Sequence, residues 1–162
     1  MKLQIGDKVP DFTTTAVLSD GKTENWVLSE QVKKNPVLFV FYPGDFTAVC
    51  TKQLCDYRDN WEMLKAFKLQ IVGISANDHD SHVQFSSTLK LPFPLLDDSN
   101  KEIAKALDMQ MLSGLLGGLT SRGFVLVDQN QTFKYQFKEL VPMLKRSAAE
   151  VAEMLRENGV LR

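Results

Sequence analysis

The chain's two cysteines, Cys50 and Cys55, stand five positions apart in Phe41-Tyr42-Pro43-Gly44-Asp45-Phe46-Thr47-Ala48-Val49-Cys50-Thr51-Lys52-Gln53-Leu54-Cys55. The run Val37 to Tyr42 before them is continuously apolar and lies between Pro36 and Pro43, which reads as a strand buried on both faces. Pro43-Gly44-Asp45-Phe46 then reads as a turn, and Thr47 as the cap of a helix reaching to about Phe67. With Thr47 at the cap, Cys50 is the third helical residue. Its sulfur would sit among backbone N–H groups that have no carbonyl partner, at the positive end of the helix dipole. That setting favours the thiolate, the nucleophilic form of the side chain, so Cys50 is the candidate nucleophile. It also follows a buried strand at the carboxyl edge of a sheet, where α/β proteins gather their sites.

Cys55 falls in the same expected helix. Five residues of ideal helix give about 7.5 Å of rise and about 140° of rotation, so the two Cα atoms would be roughly 8.6 Å apart. That exceeds the ~7 Å limit for a disulfide. The two thiols therefore bond only if the first two turns unwind, and a redox cycle here would carry a local order–disorder switch. On spacing alone, the competing reading of Cys55 is a small buried hydrophobe, the less favoured of the two.

The elements that must position these residues alternate between strand and helix. Phe12 to Val17 and Thr23 to Val27 flank the turn Ser19-Asp20-Gly21-Lys22 and read as an N-terminal hairpin. Leu69 to Ser75 reads as a second buried strand, followed by a helix capped by Asn77 or Asp78 and running to about Leu89. Pro92 to Leu96 reads as a stiff extended piece, and Ser99 with Glu102 as a capping box for a helix to Leu107. Gly123 to Val127 and Thr132 to Phe137 read as a late hairpin, and Ser147 with Glu150 as a second capping box for a helix ending near Gly159. Helix-connected buried strands pair in parallel with helices over the sheet, and the late hairpin adds an antiparallel edge. The expected fold is α/β and thioredoxin-like, a central mixed sheet flanked by helices with an N-terminal β-hairpin extension, in one domain over residues 1–162.

Composition narrows the function classes. Lys plus Arg is 19 and Asp plus Glu is 20, so no basic excess offers a phosphate-binding face and no nucleic-acid partner is expected. Two cysteines and two histidines supply a four-ligand zinc site only if every one is used. Asp78-His79-Asp80-Ser81-His82 superficially suggests a metal cluster, but no softer ligand completes the shell, and it reads as a solvated helix start whose acids suit the dipole. The N-terminal Met1-Lys2-Leu3-Gln4-Ile5-Gly6 lacks the apolar core of a signal peptide, and no apolar run spans a bilayer, so no membrane is expected and the default location is cytoplasmic, where thiols stay reduced.

Pro43, Thr47 and Cys50 match the Pro-x-x-x-Thr-x-x-Cys motif of the peroxiredoxins. Phe41-Tyr42-Pro43 before it and Cys55 after it resemble the peroxiredoxin Q (bacterioferritin comigratory protein) subgroup. The resemblance covers nearly the whole chain. Ile5 to Phe12 resembles the family's opening strand, Asp56-Tyr57-Arg58-Asp59 its helix, Leu91 to Asp97 its mid-chain segment, and Ser121 to Asp128 the strand carrying its active-site arginine. What the resemblance implies is a thiol peroxidase with no metal or organic cofactor. Cys50 would be the peroxidatic cysteine and Cys55 the resolving one, joined as an intramolecular disulfide after oxidation. Thr47 and Arg122 would donate to the peroxide oxygens, Pro43 would shelter the sulfur, and a hydroperoxide and thioredoxin or a similar dithiol would be the reaction partners.

The chain departs from that pattern in places. Ala48-Val49 replaces the Pro-Gly or Pro-Val common before the cysteine, which should loosen the first helical turn. Gln53 stands where an acidic residue is frequent and is left out of the catalytic set. Met109 to Leu119 lacks the usual lysines and aromatics and reads as a flexible loop tucked on the core. Its sharper reading is an exposed apolar collar for larger hydroperoxides or a weak dimer contact, although an in-helix partner cysteine makes a monomer sufficient. Without the family match, Arg122 reads as a surface ion pair. Two competing functions are a dithiol–disulfide oxidoreductase, disfavoured because Cys-x-x-Cys is absent, and a non-enzymatic thioredoxin-like binding module or holdase.

Overall fold

Strand β3 (Val37–Phe41) lies in the interior of the sheet, and all its residues are buried. The computed structural model describes residues 3–45, 48–110, 120–139 and 147–157, and of Ala48 and Val49 the backbone alone. In chain order the elements are β1 (Thr13–Val17), β2 (Thr23–Val27), a short α1 (Leu28–Gln31), β3, α2 (Ala48–Asp59), α3 (Trp61–Lys65), β4 (Gln70–Ser75), α4 (His79–Leu89), β5 (Leu95–Asp97), α5 (Glu102–Ala106), β6 (Gly123–Val127), β7 (Phe133–Lys138) and α6 (Ala148–Glu157). The strands form one seven-stranded sheet in the order β2-β1-β5-β4-β3-β6-β7. Strands β3, β4 and β5 are parallel, while β1 pairs antiparallel to β5 and β6 antiparallel to β3.

Alternation along β3 divides the core. Phe39 and Phe41 enter one apolar layer with Trp26, Ile74, Leu96, Leu107 and Val125. Leu38, Val40 and Tyr42 enter the other, with Cys50, Leu54, Tyr57, Phe85, Phe93 and Leu155. Successive strand residues face opposite sides, so an apolar strand stabilises both layers at once. The second layer contains the candidate nucleophile. Glycine 73 on β4 makes room for it: a Cβ there would lie 2.7 Å from a Leu95 methyl and 3.4 Å from the Tyr42 ring.

The N-terminal hairpin, the late hairpin and the helix-connected parallel strands form as the sequence predicts. Asp78 caps α4 by accepting from the Ser81 amide at 2.9 Å. Ser147 and Glu150 make the expected reciprocal box, Glu150 N–H donating to Ser147 Oγ and Ser147 N–H to Glu150 Oε1. Other expectations need correction. The single helix predicted from Thr47 to Phe67 is broken at Asn60, whose backbone leaves the helical region (φ −109°, ψ 22°) and whose side-chain amide donates back to the Asp56 carbonyl. The Ser99–Glu102 box does not form. Lys101 at the helix start is left-handed (φ 62°), and the Asp98 carboxylate instead accepts from the Ile103 and Ala104 amides. Asp98 is buried, and that burial raises its carboxyl above the usual range even as the two amides oppose the shift. The segment 92–96 is more than a stiff connector, because Leu95 to Asp97 joins the sheet beside β4.

Candidate active site

Helix α2 brings Cys50 to the carboxyl end of β3, within the second apolar layer. Strand β6 runs antiparallel to β3, so its first residue, Gly123, lies opposite the last β3 residue, Phe41. The residue just before β6 is thereby delivered to the same end of the sheet as the start of α2. That residue is Arg122. Its Nη2 donates to Cys50 Sγ at 3.1 Å, and its Nη1 donates to Gln53 Oε1 one helical turn further along. Its main chain is fixed by the Glu139 amide, which donates to the Arg122 carbonyl at 2.8 Å. Gly123 permits this approach: at φ 155°, a Cβ there would lie 2.0 Å from the Phe137 carbonyl oxygen across the hairpin.

Arg122 is only 3% exposed. The surface ion pair that its sequence position suggests is therefore not its environment. The side chain of Cys50 is 0% exposed, so the groups covering it must move before a solvent-borne molecule reaches the sulfur.

Gln53, excluded from the catalytic set on sequence grounds, belongs to this cluster. It is buried, accepts from Arg122 and shares a hydrogen bond with the Tyr57 hydroxyl. Burial raises Tyr57 far above the ordinary phenol range, the Gln53 bond partly offsetting it, so Tyr57 stays neutral. Gln53 thus orients the guanidinium without adding a charge. The signal for it was its i+3 spacing from Cys50, which places both on one helix face.

Cys55 lies in the same unbroken helix as Cys50, half-buried, and both thiols are free. The next residue, Asp56, accepts from the Ala148 amide at the start of α6, so α2 also caps α6. Arg58 lies close enough to Cys55 for a thiolate there to favour its positive charge, though its bond to Asp59 matters more.

The remaining expected site residues are placed less fully. Pro43 is half-buried in the turn after Tyr42. Thr47 lies outside the described residues, as does 111–119 of the Met109–Leu119 segment. Of that segment's described part, Met109 is buried and Gln110 bridges to Thr120. The Asp78–His82 stretch is only partly the solvated helix start expected from sequence. His82 is completely buried, and its ring binds Asp45. Among the described residues no cluster of His, Cys, Asp and Glu could hold a metal ion, and no helix is long and apolar enough to cross a membrane.

Fold and site together define a thioredoxin-like protein with a cysteine at a helix start, held against a buried arginine. The AhpC/TSA family matches residues 5–136, and the chain belongs to that family. It is 38% identical over 129 residues to the chloroplastic peroxiredoxin Q of Suaeda salsa, a match covering 80% of this chain and 57% of that one. It is 37% identical over 129 residues to the chloroplastic peroxiredoxin Q of Arabidopsis thaliana, covering 80% and 56%. The matches thus span less than three fifths of these curated relatives. Among solved structures, peroxidoxin BcpB from Mycobacterium tuberculosis superposes with a TM-score of 0.76 at 25% identity, over 99% of both chains. Enterococcus faecalis AhpC superposes with a TM-score of 0.84 at 23% identity, over 98% of this chain and 93% of that one, which shows a shared fold.

Proposed function

We propose that the protein is a thiol-dependent peroxidase in which Cys50 attacks hydrogen peroxide or an organic hydroperoxide. The observation that carries this reading is the 3.1 Å contact from Arg122 Nη2 to Cys50 Sγ. The Cys50 thiolate attacks one peroxide oxygen, the O–O bond breaks, and the departing oxygen leaves with the electron pair and takes a proton as water or an alcohol. Sulfur is oxidised to the sulfenic acid as the peroxide is reduced. Negative charge moves from sulfur to the leaving oxygen, and Arg122, with donors on a rigid planar fork, stabilises it at both positions. The Thr47 hydroxyl adds a further donor, and Pro43 limits water at the sulfur.

Cys55 then attacks the sulfenic sulfur through its thiolate, forming the Cys50–Cys55 disulfide and releasing the sulfenic oxygen as water. With both cysteines in one helix, this step requires α2 to unwind locally. A dithiol such as thioredoxin, in a compartment that keeps thiols reduced, restores both by exchange through a mixed disulfide. Similarity to proteins named peroxiredoxin Q supports the peroxidase chemistry.

The test is peroxide-dependent NADPH oxidation in the presence of thioredoxin and its reductase. The unaltered protein is expected to turn over, and Cys50→Ser to abolish turnover. Reduction of a model disulfide without peroxide consumption would identify a dithiol oxidoreductase instead. Neither activity would leave a binding module.

A further inference from the structure

A second buried polar cluster lies at the same end of the sheet, and the peroxidase chemistry does not use it. The Asp45 carboxyl group has three polar contacts: Tyr42 Oη donates to Oδ1 at 2.7 Å, Ser81 Oγ donates to Oδ2 at 2.8 Å, and His82 Nδ1 lies 2.8 Å from Oδ2. The other ring nitrogen of His82, Nε2, lies 3.0 Å from the Leu96 carbonyl oxygen. The backbone carbonyl only accepts, and so does Asp45 when ionised. A neutral imidazole has one N–H, so beside an ionised Asp45 one of these contacts would set a bare nitrogen lone pair against an oxygen lone pair. Both contacts are satisfied by an imidazolium beside the carboxylate, the arrangement that the Tyr42 and Ser81 hydroxyls donating to the same carboxyl group favour over a neutral ring accepting from a protonated Asp45. The side chains of Asp45 and His82 are each 0% exposed, so neither charge has solvent as an alternative partner.

The cluster reaches the nucleophile along two routes. Asp45 lies in the turn that leads from β3 into α2, five residues before Cys50, and its amide donates to Asn77 Oδ1 at 2.8 Å. Tyr42, whose hydroxyl holds Oδ1, is fully buried in the layer that contains Cys50. Its phenol is pushed well above the ordinary range, first by burial and then by the Asp45 charge, with Cys50 also contributing. Tyr42 therefore stays a neutral donor to Asp45. The titratable groups on the surrounding elements are Asp45 and Tyr42 from the β3–α2 turn, His79 and Asp80 from α4 with its cap Asp78, and Asp97 from β5; β1, which packs on α4, carries none.

We propose that His82 is a positioning residue: as a buried imidazolium paired with Asp45, it pins the β3–α2 turn and cancels the carboxylate charge that would otherwise oppose a Cys50 thiolate. This deepens the peroxidase reading and rests on it for its consequence in catalysis. The pair itself rests on the geometry alone. Removing one partner of a buried ion pair leaves an uncompensated charge, which is costlier than removing both. His82→Gln is therefore expected to be more damaging than the doubly neutral Asp45→Asn/His82→Gln.

Two measurements test this, one on the unaltered protein. In reduced, 15N-histidine-labelled protein at pH 7, His82 is expected to show two slowly exchanging ring N–H protons and two nitrogens at protonated shifts. One bare nitrogen overturns the proposal. The second is the rate of Cys50 alkylation by iodoacetamide against pH, resolved from Cys55 by mass spectrometry. His82→Gln is expected to move the midpoint upward by about one pH unit, a tenfold change in the thiol–thiolate ratio, and the double variant to move it back. An unshifted His82→Gln profile, or a double variant shifted further, overturns the positioning role. Neither readout needs peroxide, so a protein that consumes none refutes the peroxidase reading while leaving this test decisive. If the variants do not fold, the nitrogen shifts of the unaltered protein decide.

Discussion

The two ends of α2 carry chemically similar side chains in different surroundings. At its start, Cys50 is fully buried and held with Gln53 by the fork of Arg122, a residue 72 positions away in sequence. Further along, Cys55 is half-buried, and the helix there is tied by Asp56 to the α6 amide of Ala148 and by Arg58 Nη1 to the Leu89 carbonyl that ends α4. The first end is organised around a sulfur. The second is organised around the helix termini of its neighbours and leaves its sulfur to the side. The difference teaches that one helix can hold two thiols in unlike surroundings, one locked to a distant strand and one beside the ends of neighbouring helices. The bonds at the second end are part-buried contacts to helix ends, which water can replace at modest cost, whereas those at the first involve a buried cation that water replaces poorly.

The largest expected effect separates the two thiols. Cys55→Ser should leave the first peroxide turnover at its normal rate and abolish recycling by thioredoxin, as read by single-turnover mass spectrometry beside steady-state NADPH oxidation. Equal loss in the first turnover would erase the division of labour. Arg122→Met should slow Cys50 oxidation on the order of 10²–10³-fold, the scale of losing a preorganised donor to developing charge, as measured by stopped flow. Gln53→Leu tests whether the fork needs its second anchor. It keeps the cation and removes one acceptor, so a smaller fall of roughly tenfold is expected, the kinetic equivalent of about 1.4 kcal/mol. A fall as large as that of Arg122→Met would make Gln53 a full partner in the chemistry. At the other end, Asp56→Ala removes the cap of α6 and should cost about 1 kcal/mol in stability, read from the urea midpoint. Its rate of Cys50 oxidation should be unchanged, because the bond lies at the second end of the helix.

Much of this arrangement was legible in the chain. The apolar run between Pro36 and Pro43 marks β3, because only a strand covered on both faces has use for five consecutive large apolar residues. The turn residues Pro43-Gly44-Asp45-Phe46 mark a helix start, and α2 begins at Ala48; Ser147 with Glu150 marks another, because caps are local chemistry between residues three apart. Local chemistry also misleads. Ser99 and Glu102 have the same spacing, yet Asp98 takes the amides, because the chain reaches α5 through a left-handed residue that turns Ser99 away. The break at Asn60 is equally invisible to periodicity, since the apolar spacing continues across it.

By itself the sequence determined which residues could react and the order of the elements that carry them, since strand and helix periods and cap residues act over a few positions. Only the tertiary structure decided that Arg122 and Gln53 converge on Cys50 and that His82 lies buried against Asp45. Those contacts join residues 37 to 72 positions apart, and they depend on an antiparallel β6 and on a helix packed beside β5. A glutamine that replaces a carboxylate carries only the mark of a shared helix face, and a histidine among surface acids carries no local mark of such a role. Its partner is chosen by the register of the sheet, and that register is set by the packing of both apolar layers together.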